Sequence, residues 1–209
     1  MERNVELAIN ALTAGQCVVL PTETVYGLAA RADSAEAIDR LIQTKERKPK
    51  APFTLAFGSV ETVRRFGVEL NDVSSRLLER CLPGPLTLIL PVSENSAAHA
   101  LPETVKPMVC PTGSVGIRVP ANDFTAEILR GVDFPVALTS ANISGQADTT
   151  SAEEARQTLG ERVGFIFDGG PARLGKSSTV VLFQKNSTAY SILRVGAISE
   201  EKLRQLSAK

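Results

Sequence analysis

The sequence predicts an α/β protein, because short apolar runs of strand length alternate with amphipathic helical segments along the chain. Of the 209 residues, 43% are hydrophobic and 22% are charged, which is enough apolar material to bury a substantial core. No repeat, low-complexity tract or change in composition marks a linker. We therefore expect one domain over residues 1–209.

The N-terminal third predicts two helices around a strand. Apolar residues at helical spacing predict a first helix: Val5, Ala8, Ile9 and Leu12. Gly15 ends this helix before a strand at 17–20. Asp33 or Ser34 can cap a second helix that turns Ile38, Leu41 and Ile42 inward and ends in the basic run KERKPK.

Further segments follow from the same periodicities. We expect strands at 53–57, 86–90, 114–120, 135–139, 164–170, 178–183 and 189–196. We expect helices near 59–66, 72–81 and 122–129, and a last helix opening at Ile198 or Ser199. Ser151 and Glu154 have the spacing of a capping box for one more helix. Residues 93–113 contain three prolines and little periodicity, which predicts an exposed loop or lid.

Charge and cysteine content exclude several classes of protein. Lys plus Arg and Asp plus Glu are equal at 23 each, which argues against a free-standing nucleic-acid binder. Cys17, Cys81 and Cys110 are far apart and His99 is the single histidine, so neither a metal cage nor a disulfide framework is expected. No apolar run reaches membrane-spanning length, and the N-terminus is unlike a signal peptide. We expect a cytoplasmic protein without a membrane partner.

Polar side chains follow most of the predicted strands. Six of them stand at or just beyond strand ends: Thr22, Arg118, Ser140, Asn142, Ser178 and Arg194. The stretch PTETVYGLAA at 21–30 shows the pattern most clearly, because it interrupts an apolar strand with two hydroxyls and a carboxylate. Hydroxyls and guanidinium groups converging on one edge suit an anionic ligand. No Walker A loop or GxGxxG fingerprint is present.

Each of these residues also has a simpler structural interpretation. Thr22 and Thr24 can cap the turn after the strand, and Ser140 and Asn142 suit an Asx or Ser turn. The basic run from Lys45 can complement a helix dipole in solvent. Arg118 and Arg194 stand in apolar strand patterns, where an internal acid partner is an alternative to a ligand. A hydrolase that uses two paired carboxylates is not supported, because only one carboxylate, Glu23, lies in a polar strand end.

Seven motifs, taken together and in order, resemble the YrdC-like family of L-threonylcarbamoyladenylate synthases. They are PTETVYGL, KER within a basic segment, PGPLTLIL, SVGIRVP, LTSANISG, SSTVV and ILRVGAIS. The resemblance covers residues 5–206, and the chain is similar to the short form of the family, which has the catalytic domain alone.

The resemblance implies a twisted mixed sheet flanked by helices, with a deep, positively lined cleft. It implies condensation of L-threonine, bicarbonate and ATP to threonylcarbamoyl-AMP and pyrophosphate, with Mg²⁺ accompanying the ATP. The implied product passes to a tRNA threonylcarbamoyl transferase complex that modifies an adenosine of tRNA. No dedicated metal site is expected, since few acids lie at the strand ends.

Site residues follow from the matching motifs. The resemblance assigns threonine binding to three residues: Thr22, Arg118 and Ser178. It assigns ATP binding to five: Lys45, Arg47, Ser140, Asn142 and Arg194. The residues expected to neutralise charge during catalysis are Lys45, Arg47 and Arg118.

The chain departs from the family pattern at Lys48, Ala51, Ala56, Leu182 and Val195. Two other functions therefore stay open. One is a nonenzymatic RNA-binding module for tRNA or double-stranded RNA, and weak RNA binding is compatible with the enzyme as well. The other is a paralogue acting on a different carbamoyl donor or nucleotide.

Overall fold

The computed structural model describes residues 2–46 and 52–208, and within them nine strands form one sheet. The strands are β1 Val18–Leu20, β2 Gly27–Arg31, β3 Thr54–Ala56, β4 Leu86–Pro91, β5 Ser114–Arg118, β6 Val136–Ser140, β7 Phe165–Ile166, β8 Thr179–Phe183 and β9 Tyr190–Arg194. Their spatial order is β7-β1-β2-β6-β3-β5-β4-β8-β9. Three neighbouring pairs are parallel and five are antiparallel, so the expected mixed sheet is confirmed.

Eight α-helices surround the sheet in the described residues. They are α1 Glu2–Thr13, α2 Ala35–Lys45, α3 Val60–Phe66, α4 Asp72–Cys81, α5 Lys106–Val109, α6 Asp123–Gly131, α7 Ala152–Leu159 and α8 Glu200–Ser207. Short polar side chains cap most of them at the N-terminus, and Ser34 is the cap of α2. None of these helices is long and apolar enough to cross a bilayer.

The two faces of the sheet pack against different helices. In β1, Val18 and Leu20 belong to the smaller core cluster and Val19 to the larger one, as the alternation of a strand requires. The smaller cluster joins the sheet to α1 and α6, for example through Leu12 and Ile128. The larger cluster joins it to α2, α4, α7 and α8. We call these the α1/α6 face and the opposite face.

Three local predictions differ from the structure. The strand β2 was not expected, because GLAAR lacks alternation; it forms through pairing with β1 on one side and β6 on the other. Residues 93–113 are not simply an exposed loop, since short helical turns bury Leu101, Val105 and Val109 in the larger core. The Ser151 hydroxyl caps α7, but the Glu154 carboxylate bonds Thr150 rather than Ser151.

Candidate active site

The candidate site lies where the α1/α6 face extends past its covering helices. Thr54 of β3 pairs with Leu138, whose side chain packs in the smaller core, and Gly116 of β5 pairs with Thr54. Ile89 pairs with Gly116, and Leu182 pairs with Ile89. Directly paired residues share a face of the sheet. These strands therefore supply the floor of a cavity of about 500 Å³.

Hydroxyl groups form much of the polar wall of this cavity. Six hydroxyl-bearing residues of the wall recur below: Thr22, Thr24, Thr87, Ser140, Ser177 and Ser178. The charged side chains among the described lining residues are both arginines, Arg118 and Arg194. A cavity of this size that combines an apolar floor with hydroxyls and guanidinium groups suits a small organic anion.

The turn after β1 is built on Thr22, which both caps the turn and lines the cavity. Its Oγ1 donates to the Val25 carbonyl at 2.6 Å and accepts from the backbone N–H groups of Thr24 and Val25. The Thr22 and Thr24 hydroxyls lie 2.9 Å apart. Gly27 follows, and a Cβ there would crowd the side chain of Leu138. The polar break in the strand therefore fixes two hydroxyls in the cavity wall.

Arg118, at the end of β5, has an internal acid partner. Its Nη2 donates to Glu23 Oε1 at 2.8 Å and to Thr24 Oγ1 at 2.9 Å. Arg118 is 6% exposed, and its Nε has no hydrogen-bond partner among the described residues. Burial lowers the pKa of Arg118, the charge and hydrogen bond of Glu23 oppose that change, and Arg194 adds to it. The guanidinium thus keeps unused bonding capacity beside the cavity.

Lys45 is buried rather than solvated at the end of α2. Its Nζ donates to the carbonyls of Ser140 and Asn142 at 2.6 and 2.8 Å, and to Asn142 Oδ1 at 2.9 Å. Ser140 Oγ donates to the same Oδ1 at 2.6 Å. Ser140 lines the cavity, whereas Lys45 and Asn142 do not, so both support the wall through Ser140.

Ser178 connects β4 and β9 in the cavity wall through hydrogen bonds. Its hydroxyl lies 2.8 Å from that of Thr87 on β4, and both groups are buried. Arg194, at the end of β9, donates from Nε and Nη2 to the Ser178 carbonyl at 3.1 and 3.0 Å. Gly196 packs so closely that a Cβ there would collide with the backbone of Ser177 and Ser178. Ser178 is therefore fixed from three sides.

The loop that follows β7 is tied to the turn after β1. The Tyr26 hydroxyl donates to the Gly170 carbonyl at 2.7 Å and accepts from the Gly169 N–H at 3.1 Å. The Leu174 N–H donates to the Glu23 carbonyl at 2.8 Å. Burial raises the pKa of Tyr26, which keeps its hydroxyl available as a donor.

Most residues predicted from the sequence meet in this site. Those lining the cavity are Thr22, Arg118, Ser140, Ser178 and Arg194. Arg47, together with Lys48 and Ala51, lies outside the described residues. Sequence reasoning missed the role of Thr87, which looked like an ordinary strand residue. Thr24 was predicted as one of the polar side chains at the end of the first strand, with a turn cap as the alternative. The sequence does distinguish Glu23, because it is the one acidic residue inside a polar strand end.

Fold and cavity together define an α/β protein with a cleft, lined by hydroxyl groups and two arginines, on an incompletely covered sheet face. The family model Sua5_yciO_yrdC, described as "Telomere recombination", matches residues 10–196. The chain belongs to this family.

Similar proteins agree with that assignment. A Pyrococcus abyssi protein named threonylcarbamoyl-AMP synthase is 34% identical over 182 residues, which are 86% of this chain and 51% of that protein. The chain thus spans about half the length of this relative. The crystal structure of P. abyssi Sua5 complexed with L-threonine matches with a TM-score of 0.87 and 30% identity, over 99% of this chain and 58% of that one. Escherichia coli YciO matches with a TM-score of 0.78 and 25% identity, over 97% and 93% of the two chains.

Proposed function

We propose that this chain is an L-threonylcarbamoyladenylate synthase, which condenses L-threonine, bicarbonate and ATP to threonylcarbamoyl-AMP and pyrophosphate. The observation that carries the proposal is the buried guanidinium of Arg118, whose Nε lacks a partner among the described residues beside a cavity of about 500 Å³. Similarity to a Sua5 structure complexed with L-threonine supports threonine as the ligand.

The reaction needs positioning and charge neutralisation more than proton transfer. The threonine amine attacks CO₂ derived from bicarbonate, forming an N–C bond and releasing a proton to give a carbamate. A carbamate oxygen then attacks the α-phosphorus of ATP, and the bond to the bridging oxygen breaks with its electron pair leaving on pyrophosphate. Fixed cationic and hydrogen-bond donors can stabilise the charge that develops in such a transfer.

In this scheme Arg118 binds the threonine carboxylate, with Thr22 and Ser178 on either side. Both hydroxyls are held by internal hydrogen bonds and line the same cavity as Arg118, which supports the assignment. Preorganised donors of this kind lose little entropy when the ligand binds.

The ATP phosphates would lie at the turn held by Lys45. Ser140 presents a hydroxyl to the cavity there, and Asn142 and Lys45 stabilise the turn from the protein side. Arg194 supplies a second guanidinium from the other wall. We retain Arg47 as a phosphate-binding residue from the motif match alone.

Magnesium would enter with the triphosphate rather than occupy a site of the protein. No group of three or more His, Cys, Asp or Glu side chains that could hold a metal is found among the described residues. Mg²⁺ is commonly bound through substrate phosphates with few protein ligands.

The expected context follows from the product. We propose that residues 1–209 act as one catalytic domain in the cytoplasm and that a tRNA threonylcarbamoyl transferase complex consumes the adenylate. A mixed acid anhydride with phosphate is reactive towards water, which favours direct use by the next enzyme.

Pyrophosphate release from ATP tests the proposal. With Mg²⁺ present, release is expected to require both L-threonine and bicarbonate, and omission of either serves as the internal control. No release by a folded protein would contradict the synthase. Salt-sensitive binding of tRNA or double-stranded RNA without ATP consumption would then favour an RNA-binding module.

A further inference from the structure

Glu23 is buried beside Arg118 but does not line the cavity. Its Oε1 accepts from Arg118 Nη2 at 2.8 Å, and its Oε2 accepts from the Ala121 N–H at 3.0 Å. Glu23 is 3% exposed, and both carboxylate oxygens have partners. Glu23 therefore influences a ligand through Arg118 rather than by direct contact.

Arg118 has one acid partner, and a second guanidinium, that of Arg194, lines the same cavity. Arg118 is a permanently charged group, and Arg194 is near enough for its positive charge to act on it. Glu23 offers one negative charge to these two positive ones, and Thr24 adds a neutral acceptor at 2.9 Å. A carboxylate in the cavity would therefore lie near two guanidinium groups and one buried carboxylate.

We propose that Glu23 is the resident counter-ion of Arg118, which positions the guanidinium and also weakens its attraction for the carboxylate of L-threonine. The inference rests on the proposed function, since it takes threonine as the ligand of Arg118. Two carboxylates that share one guanidinium repel each other, so Glu23 and the ligand compete electrostatically. Glu23 is a positioning residue that sets threonine affinity.

The test is calorimetric binding of L-threonine to the wild type and to Glu23→Gln. Glutamine keeps an oxygen that can accept from Arg118 but removes the negative charge. We expect Glu23→Gln to bind threonine about 5- to 10-fold more tightly. Its melting temperature without threonine should fall by several degrees, because a buried guanidinium loses its counter-ion. L-threoninamide, which lacks the carboxylate, should bind wild type and variant equally.

Glu79→Gln is the matched control variant. The Glu79 carboxylate accepts from Arg64 at 2.7 Å, but that pair is exposed and neither residue lines the cavity. Neither threonine affinity nor melting temperature should change by more than the error of measurement.

The outcomes separate the inference from the proposed function. Threonine binding by the wild type with equal or weaker binding by Glu23→Gln would overturn the inference alone. No threonine binding by folded wild type would overturn both. If Glu23→Gln fails to fold, the double variant Glu23→Gln/Arg118→Gln should recover folding, because it removes both buried charges. Failure of the double variant to recover would also contradict the counter-ion role.

Discussion

Lys45 Nζ lies 2.8 Å from the carbonyl oxygen of Asn142 and 2.9 Å from its side-chain oxygen. A lysine at the end of a helix usually extends into solvent, yet Lys45 is 2% exposed. The ammonium therefore holds the turn after β6 in shape, and that turn presents Ser140 to the cavity.

Lys45→Met should reduce both stability and activity. It removes the ammonium but keeps an unbranched stem, so oxygens of Ser140 and Asn142 lose a buried donor at a cost of about 1 to 3 kcal/mol. Urea denaturation measures that cost, and pyrophosphate release should fall by about 10²-fold because the turn that presents Ser140 is displaced. Lys185→Met, which alters an exposed ion pair with Glu69, should change stability by less than about 1 kcal/mol. Equal losses in both variants would contradict the structural role of Lys45.

Thr87 and Ser178 should be energetically coupled. Their buried hydroxyls lie 2.8 Å apart, so Thr87→Val and Ser178→Ala remove the same hydrogen bond. A double-mutant cycle of unfolding free energies should give a coupling of at least about 0.5 kcal/mol. Thr87→Val alone should raise the KM for threonine several-fold, because Ser178 loses a group that orients it. Additive losses of stability would show that the pair is not coupled.

Gly196→Ala should disturb the site from outside the cavity. A methyl group at position 196 would collide with the backbone of Ser177 and Ser178, which cannot move without shifting the cavity wall. We expect a lower melting temperature and a lower kcat/KM. Gly164→Ala is the control, since a Cβ at 164 meets no atom within 4 Å. A Gly196→Ala enzyme with the kinetics of the control would refute this constraint.

Stability should decline in alkali partly through Cys17. Burial raises the pKa of the Cys17 thiol from 9.0 to about 11, although a hydrogen bond with Thr44 and the charge of Arg40 partly offset the increase. From pH 9 upwards the thiol ionises in the unfolded chain but stays protonated in the folded one. Its contribution to the free energy of unfolding is therefore complete below pH 9 and is lost between pH 9 and pH 11. The loss is about 2 to 3 kcal/mol.

Cys17→Ala measures that contribution. Unfolding free energies at pH 8 and pH 10.5 should fall more steeply for the wild type than for Cys17→Ala. Tyr26, whose pKa burial also raises, titrates in both proteins and does not affect the comparison. Parallel declines would show that the Cys17 thiol is not protected from ionisation.

Periodicity predicted most of the fold, because long amphipathic helices and apolar strands carry their own signal. The helices α1, α2, α4 and α6 were confirmed close to their expected bounds. The strand β2 was missed because its small residues show no alternating pattern. It is held in place by pairing with β1 and β6, which a local pattern does not show.

The convergence of strand ends was predicted, but the partners of each side chain were not. Arg118 and Glu23 are separated by 95 positions, and Lys45 and Asn142 by 97. Such contacts depend on the strand order, which interleaves β6 between β2 and β3. From the sequence, Arg118 either pairs with an internal acid or binds a ligand. The structure allows both, because Arg118 pairs with Glu23 and also lines the cavity.

The most direct test of the central claim follows carbon from bicarbonate into the product. The protein is incubated with ¹⁴C-bicarbonate, L-threonine and Mg–ATP, and the nucleotides are separated. The synthase predicts a labelled adenylate that requires threonine, with yield reduced at least about 10²-fold in a folded Arg118→Ala variant. A folded wild type that forms no labelled adenylate, or an Arg118→Ala variant that forms as much as the wild type, would contradict the account.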